Sequence, residues 1–173
     1  KHFFFLPLRA YSYDKYSQNG EDGIIEEIFR RLGITNGYLV EFGACDGIKY
    51  SNTYNILHKD SRFAAIYIEG DLQRYQDLKI TASKFQGRII PINAYVEASG
   101  KNSLQNLLKA TPILKDFELL SIDIDGNDYR VWEGLSDYKP KVVVIEINSL
   151  LDPKKVFIHD KKDNNSNGSS FRA

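Results

Sequence analysis

Five short apolar runs constrain the fold of this chain more than any other feature. They occupy residues 38–42, 64–68, 88–92, 119–124 and 141–147. Several of them are continuously apolar, which is typical of strands buried on both faces. Helical patterns lie before the first run and between the others, at 19–33, 51–57, 72–84, 103–109 and 129–135, and Asn19 is the predicted cap of the first helix. Strands that alternate with helices predict an α/β fold with a mostly parallel sheet and helices on both faces.

Polar side chains lie at or just after the carboxyl end of each run. The positions are Glu41, Glu69, Asn93, Asp123 with Asp125, and Glu146 with Asn148. Because the carboxyl ends of parallel strands meet at one edge of the sheet, and ligands bind outside that edge, these groups are expected to border a common crevice.

The first strand runs into a turn with the sequence Val-Glu-Phe-Gly-Ala-Cys-Asp-Gly, residues 40–47. Two glycines let the backbone turn tightly and let a ligand approach. The acids in the turn oppose a pyrophosphate and favour a ligand with ammonium and hydroxyl groups. S-adenosylmethionine, a nucleoside with an amino-acid tail and a sulfonium, fits this description. The turn residues predicted to bind it are Glu41, Gly43, Ala44, Asp46 and Gly47.

The ends of the next two strands suit the nucleoside. Glu69 can accept both ribose hydroxyls, and Gly70 beside it allows close approach. Asn93 and Ala94 can meet the adenine edge with amide and backbone hydrogen bonds.

Two further segments are candidates for cofactor binding. Ser51 and Asn52 can contact the amino-acid carboxylate at a helix start. Gln18 precedes the first helix and either reaches the ligand, together with its neighbours Asn19 and Gly20, or belongs to the helix cap alone.

The second dense motif, Asp123-Ile124-Asp125, supplies the catalytic candidates. On a continuing strand the two carboxylates share a face, where they can bind a hard cation, share a proton or meet an ammonium group. A divalent metal, if present, would be held by Asp123, Asp125 and Glu146. Asp125 is the first candidate for a general base, and His159 in the polar tail is the second.

Charge and composition exclude several classes of protein. The 173 residues include 23 basic and 23 acidic side chains, so the formal net charge is zero. Neutrality argues against a nucleic-acid partner bound mainly by charge. No apolar run approaches the ~18 residues of a membrane helix. A single cysteine, Cys45, excludes an internal disulfide and is compatible with the cytoplasm.

In combination, six segments resemble FkbM-type and related class I S-adenosylmethionine-dependent methyltransferases. They span residues 16–148 in the family's order, and are 16–23 (Tyr-Ser-Gln-Asn-Gly-Glu-Asp-Gly), 40–47, 51–53, 68–71, 120–129 and 143–148. The resemblance implies a seven-stranded Rossmann-like fold. It also implies that Asp123 and Asp125 lie near the methionine end of the cofactor and the acceptor. Members of the family often methylate sugars or other small molecules, so the implied acceptor is a small O or N nucleophile.

The resemblance also frames the domain organisation. A single methyltransferase-like domain is expected over 1–173, with an N-terminal docking segment at 1–15 and a mobile tail at 149–173. Relatives continue into a final helix and an antiparallel strand pair. Here the sequence stops at Ala173, so that strand pair is expected to be missing.

Three alternatives remain open. A nucleotide-sugar glycosyltransferase would hold a metal on Asp123 and Asp125 but has no use for the acidic turn at 41–47. An NAD-dependent oxidoreductase is disfavoured because the turn reads Gly-x-x-x-Gly. A binding module that retains the cofactor pocket without turnover is the third.

Overall fold

The computed structural model describes residues 6–124 and 126–147, and the remaining residues lie outside this account. A short 3-10 helix, Leu8–Tyr11, precedes the α/β elements. The helices are α1 (Glu21–Leu32), α2 (Tyr54–Lys59), α3 (Leu72–Ser83), α4 (Leu104–Lys109) and α5 (Asp128–Glu133). The strands are β1 (Gly37–Phe42), β2 (Phe63–Glu69), β3 (Ile89–Asn93), β4 (Leu119–Ile122) and β5 (Val142–Ile145).

The strands form one parallel sheet in the order β3-β2-β1-β4-β5. The order reverses direction at β1, because β2 and β3 follow on one side of it and β4 and β5 on the other. In such a sheet, the crevice at the reversal is the usual place for a ligand. The sheet register sets Glu41 of β1 beside Tyr67 of β2 and Ser121 of β4.

Two apolar cores cover the two faces of the sheet, as successive strand residues point to opposite sides. On β1, Leu39 packs with residues of α1, α2 and α3, whereas Val40 packs with residues of α4 and α5. All four residues of β4 are buried, and β2 is buried at six of its seven positions. The prediction of an α/β fold with a parallel sheet and helices on both faces is therefore confirmed.

Some helix boundaries follow their local sequence signals. Ser103 caps α4 by accepting a hydrogen bond from the backbone N–H of Asn106, and Gly33 ends α1 in a left-handed conformation. The expected Asn19 cap on α1 is wrong, because Gly20 occupies the cap position and no side chain caps the helix.

The fourth strand is shorter than predicted. It ends at Ile122, so Asp123 lies in the loop after the strand. The two-residue spacing of the acids therefore does not put them on a common strand face. Asp125, the second acid, lies outside the described residues.

The segment before α1 lies against that helix. The Arg31 side chain donates a hydrogen bond to the Leu6 carbonyl, and its guanidinium lies over the Tyr11 ring. These contacts concern the described part of the predicted docking segment at 1–15. The predicted tail at 149–173 lies outside the described residues. None of the helices described is both long and apolar enough to cross a membrane.

Two leucines on α3 test how much the core contributes to stability. Leu78 is fully buried between α3 and the sheet, whereas Leu72 in the same helix is 61% exposed. We expect Leu78→Ala to lower the free energy of unfolding by about 2–5 kcal/mol, since it removes apolar contacts and leaves a cavity. Leu72→Ala is the matched control and should change it by less than about 0.5 kcal/mol. Urea denaturation measures both, and equal effects would contradict this assignment of the core.

Candidate cofactor site

A cavity of about 480 Å³ opens at the carboxyl edge of the sheet. This volume lies within the range of small-molecule sites, about 300–1,000 Å³. The predicted residues that line it come from the ends of β1 and β2, from the loops that follow the five strands, and from the loop before α1. They are Gln18, Glu41, Gly43, Ala44, Ser51, Glu69, Gly70, Ala94, Asp123 and Glu146. The structure thus brings together the acids at the carboxyl ends of β1, β2, β4 and β5.

Glu69 is buried at the end of β2 but retains free accepting capacity. One carboxylate oxygen accepts the backbone N–H of Cys45 at 2.8 Å, and the other accepts that of Asp71 at 2.7 Å. A carboxylate offers about four lone-pair sites, so each oxygen can accept one more hydrogen bond. The backbone bonds fix the carboxylate in place, and the remaining lone pairs suit two neighbouring hydroxyl groups.

Glu41 is more fully engaged by the protein. One oxygen accepts from the hydroxyls of Ser51 and Thr53, both at 2.6 Å, and the other accepts the backbone N–H of Asn52 at 2.8 Å. The Thr53 hydroxyl also lies 2.7 Å from that of Tyr67. Burial raises the pKa of Glu41, and these three donors oppose the rise. Glu41 therefore holds the 51–53 segment over the sheet, although it also borders the cavity.

Gly43 is required for a reason that the sequence does not reveal. A Cβ at this position would lie 1.9 Å from the Asp123 carbonyl oxygen, and the backbone is left-handed, with φ of 76°. The glycine therefore allows the loops after β1 and β4 to touch. In the same turn, burial raises the pKa of the Cys45 thiol, while the nearby Arg74 lowers it. The net effect favours the neutral thiol.

Three predicted site residues, Asp46, Gly47 and Asn93, line neither this cavity nor the smaller one described below. The Asp46 side chain accepts the backbone N–H groups of Ile48 and Lys49 and so closes the turn. At Gly47, the space for a Cβ is bounded by the side chains of Leu78 and Tyr67.

The third, Asn93, donates its side-chain amide to the carbonyl oxygens of Glu69 and Gly70. These bonds tie the end of β3 to Glu69 and Gly70, which line the cavity. A direct contact between Asn93 and adenine remains a prediction.

A second, smaller cavity of about 110 Å³ adjoins the first on the side of β4 and β5. Four residues line both cavities, namely Gln18, Tyr50, Asp123 and Glu146. Asn52 lines only the smaller one, where its side-chain amide also donates to the Ser121 hydroxyl at 3.0 Å. The shared wall makes the two cavities neighbouring compartments at one edge of the sheet.

The catalytic and metal candidates are only partly described. Asp123 borders both cavities, whereas Asp125 and His159 lie outside the described residues. Asp128, which the sequence analysis did not single out, accepts the backbone N–H groups of Ile124 and Gly126, each at 2.9 Å. Within residues 6–124 and 126–147, no group of three or more His, Cys, Asp and Glu side chains is arranged to hold a metal ion.

Four larger side chains of the cavity wall were also missed. They are Lys49, Tyr50, Arg74 and Tyr95. Tyr95 packs so closely over Gly70 that a Cβ there would lie 2.3 Å from its ring. Its position directly after Asn93 and Ala94 was an available signal. The sequence signal for Tyr50 was weaker. Its backbone is left-handed, with φ of 63°, a conformation that a tyrosine rarely adopts and that its residue type does not predict.

The sequence matches no protein-family model and no curated protein. Solved structures share the fold. A candidate O-methyltransferase from Klebsiella pneumoniae superposes with a TM-score of 0.56 at 15% identity, over 90% of this chain and 66% of its own. Precorrin-6y C5,15-methyltransferase from Geobacter metallireducens superposes with a TM-score of 0.50 at 13% identity, over 78% of this chain and 64% of its own.

At these identities, the likeness concerns the fold. The Rossmann-like fold of class I methyltransferases is confirmed for this chain, which spans about two thirds of the length of these two proteins. The expected absence of the final strand pair falls on residues outside the described region. The FkbM subtype remains a prediction.

The burial of Glu41 generates a test of its structural role. Because its pKa is raised in the folded state, the folded protein holds the proton more tightly than the unfolded chain. The associated stabilisation is present below the ordinary glutamate pKa and is lost as pH rises through the raised value. We expect the free energy of unfolding of the wild type to fall with pH in that window, relative to Glu41→Gln.

Urea denaturation at intervals from about pH 4 to pH 8 measures this difference in slope. Glu133→Gln, a change at an exposed position of α5, is the control and should run parallel to the wild type. A Glu41→Gln curve that also runs parallel to the wild type would contradict the shift.

Proposed function

We propose that this chain binds S-adenosylmethionine and transfers its methyl group to an O or N nucleophile of a small molecule. The observation that carries the proposal is the cavity across the ends of β2, β1 and β4, with Glu69 fixed in its wall. The fold shared with solved methyltransferases supports it.

The sheet order suggests how the cofactor lies. In the proposed pose, the ribose hydroxyls meet Glu69 at the end of β2, and the adenine lies along Gly70, Ala94 and Tyr95. An exposed aromatic ring such as Tyr95 offers a face for stacking. The amino-acid tail then extends across β1 toward β4, where Asp123 supplies negative charge near the sulfonium.

The smaller cavity is proposed to receive the reacting group of the acceptor. A lone pair of the acceptor oxygen or nitrogen forms a bond to the methyl carbon, the carbon–sulfur bond breaks, and S-adenosylhomocysteine leaves. The acceptor proton passes to a base. Asp123 borders both cavities and is the described candidate for this base. Asp125 and His159 remain proposed alternatives from the sequence.

The acceptor class is proposed from the sequence resemblance. FkbM-type methyltransferases often act on sugars, which present hydroxyl nucleophiles, and a sugar or polysaccharide precursor is therefore the first class to screen. The chain's zero net charge still argues against an acceptor held mainly by phosphate contacts.

Cofactor binding tests the proposed role of Glu69. We expect Glu69→Ala to weaken S-adenosylhomocysteine binding by about 1.5–3 kcal/mol, since charge-assisted hydrogen bonds to the ribose are lost. Isothermal titration calorimetry measures the effect. Glu133→Ala in the exposed part of α5 is the control and should bind as the wild type does.

A 2′-deoxy analogue of S-adenosylhomocysteine identifies the contact itself. The wild type should bind the analogue more weakly than the parent compound, whereas Glu69→Ala should bind the two about equally. Equal discrimination by both proteins would contradict a bond between Glu69 and the 2′-hydroxyl.

Turnover tests the role of Asp123. With methyl-labelled S-adenosylmethionine and a pool of sugars, we expect label transfer by the wild type. Asp123→Asn should reduce kcat by roughly 10²–10⁴-fold if Asp123 is the base. Asp116→Asn, at an exposed position away from both cavities, is the control.

Parallel assays separate the alternatives. Cofactor binding without turnover of any acceptor would favour the binding module. Turnover of a nucleotide sugar with manganese, in the absence of S-adenosylhomocysteine binding, would favour the glycosyltransferase.

A further inference from the structure

Carboxylate side chains hold the backbone of the loop before α1. Six consecutive backbone N–H groups, those of residues 15–20, each donate to a carboxylate oxygen. The acceptors are the side chains of Asp14, which precedes the loop, and of Glu21 and Asp22, which begin α1. We call residues 15–20 the carboxylate-bound loop.

Asp22 makes the largest share of these bonds. Its Oδ2 accepts the N–H groups of Lys15 and Tyr16 at 2.7 Å and that of Ser17 at 3.0 Å. In return, the Ser17 hydroxyl accepts the N–H of Asp22 at 3.0 Å. Asp22 is only 1% exposed, and its Oδ1 has no hydrogen-bond partner among the described residues. Burying a carboxylate with one unpaired oxygen costs free energy, because that oxygen loses its hydrogen bonds to water.

The rest of the loop is fixed from its outer side. Glu21 accepts the N–H groups of Gln18 at 3.2 Å and Asn19 at 2.7 Å. Asp14 accepts the Ser17 hydroxyl at 2.9 Å and the N–H of Gly20. A Cβ at Gly20 would overlap the Ser12 side chain, so the loop cannot move toward that side. The backbone of residues 15–20 therefore has few alternative conformations.

The loop carries Gln18 to the wall that the two cavities share. Gln18 itself is exposed, so its amide can face a ligand. In the cofactor pose proposed above, this wall lies on the β4 side, next to the sulfonium and the amino-acid tail.

We propose that Asp22 is a positioning residue that sets the Gln18 amide against the amino-acid end of the bound cofactor. This inference rests on the proposed function. Gln18 makes the contact, and Asp22 acts through it by fixing the backbone on which Gln18 is carried. Because all three loop bonds of Asp22 go to Oδ2, an asparagine can reproduce them with its single oxygen, whereas an alanine cannot.

A double-mutant cycle on S-adenosylhomocysteine affinity tests the proposal. Gln18→Ala should weaken binding by about three- to tenfold, the loss of one hydrogen bond. Asp22→Ala should weaken it by a similar factor, and Gln18→Ala added to Asp22→Ala should weaken it by less than about twofold more. Asp22→Asn should bind within about twofold of the wild type. Gln76→Ala, at an exposed position of α3 away from both cavities, is the control.

The outcomes distinguish an Asp22 that positions Gln18 for cofactor binding from an Asp22 that only stabilises the folded protein. Wild-type affinity in folded Asp22→Ala, or effects of the two substitutions that multiply, would overturn the inference while leaving the proposed function intact. Absence of binding by the wild type would overturn both. If Asp22→Ala does not fold, Asp14→Ala replaces it in the cycle, because Asp14 is exposed and holds the same loop from outside.

Discussion

The buried carboxylate of Glu41 is the interaction on which the arrangement of this site depends. It stands in a row with Tyr67 and Ser121, on three adjacent strands and one face of the sheet. Residues 51–53 close over this row and satisfy its polar groups. An unpaired carboxylate at this depth would be costly, so the segment is held firmly in place. The start of α2 and one wall of both cavities are fixed as a result.

Glu41 and Glu69 are both acids at the ends of neighbouring strands, yet their hydrogen-bond partners differ. Three donors from one loop occupy Glu41, whereas two backbone N–H groups orient Glu69 and leave lone pairs for a ligand. Accepting capacity, more than burial, separates the two roles, since the two side chains are equally buried.

The strands could be predicted because each is a compact apolar run, and the shared edge of acids follows from parallel topology. The wall residues Glu69, Gly70 and Ala94 were predicted by the same rule. The carboxylate-bound loop could not be predicted, because its bonds join residues whose local pattern indicated only a helix start. The Asn19 cap failed for this reason, as the backbone N–H of Asn19 is bound by Glu21 and the left-handed Gly20 takes the cap position.

The contact between Gly43 and the Asp123 carbonyl has a consequence for how such a protein can diversify. With no side chain between them, the loops after β1 and β4 are in direct contact at this point. We therefore expect an insertion in either loop to shift the other loop as well. Under the proposed function, we therefore expect new acceptor preferences to arise more readily by exchange of side chains such as Tyr50 and Glu146 than by changes in the loop backbone.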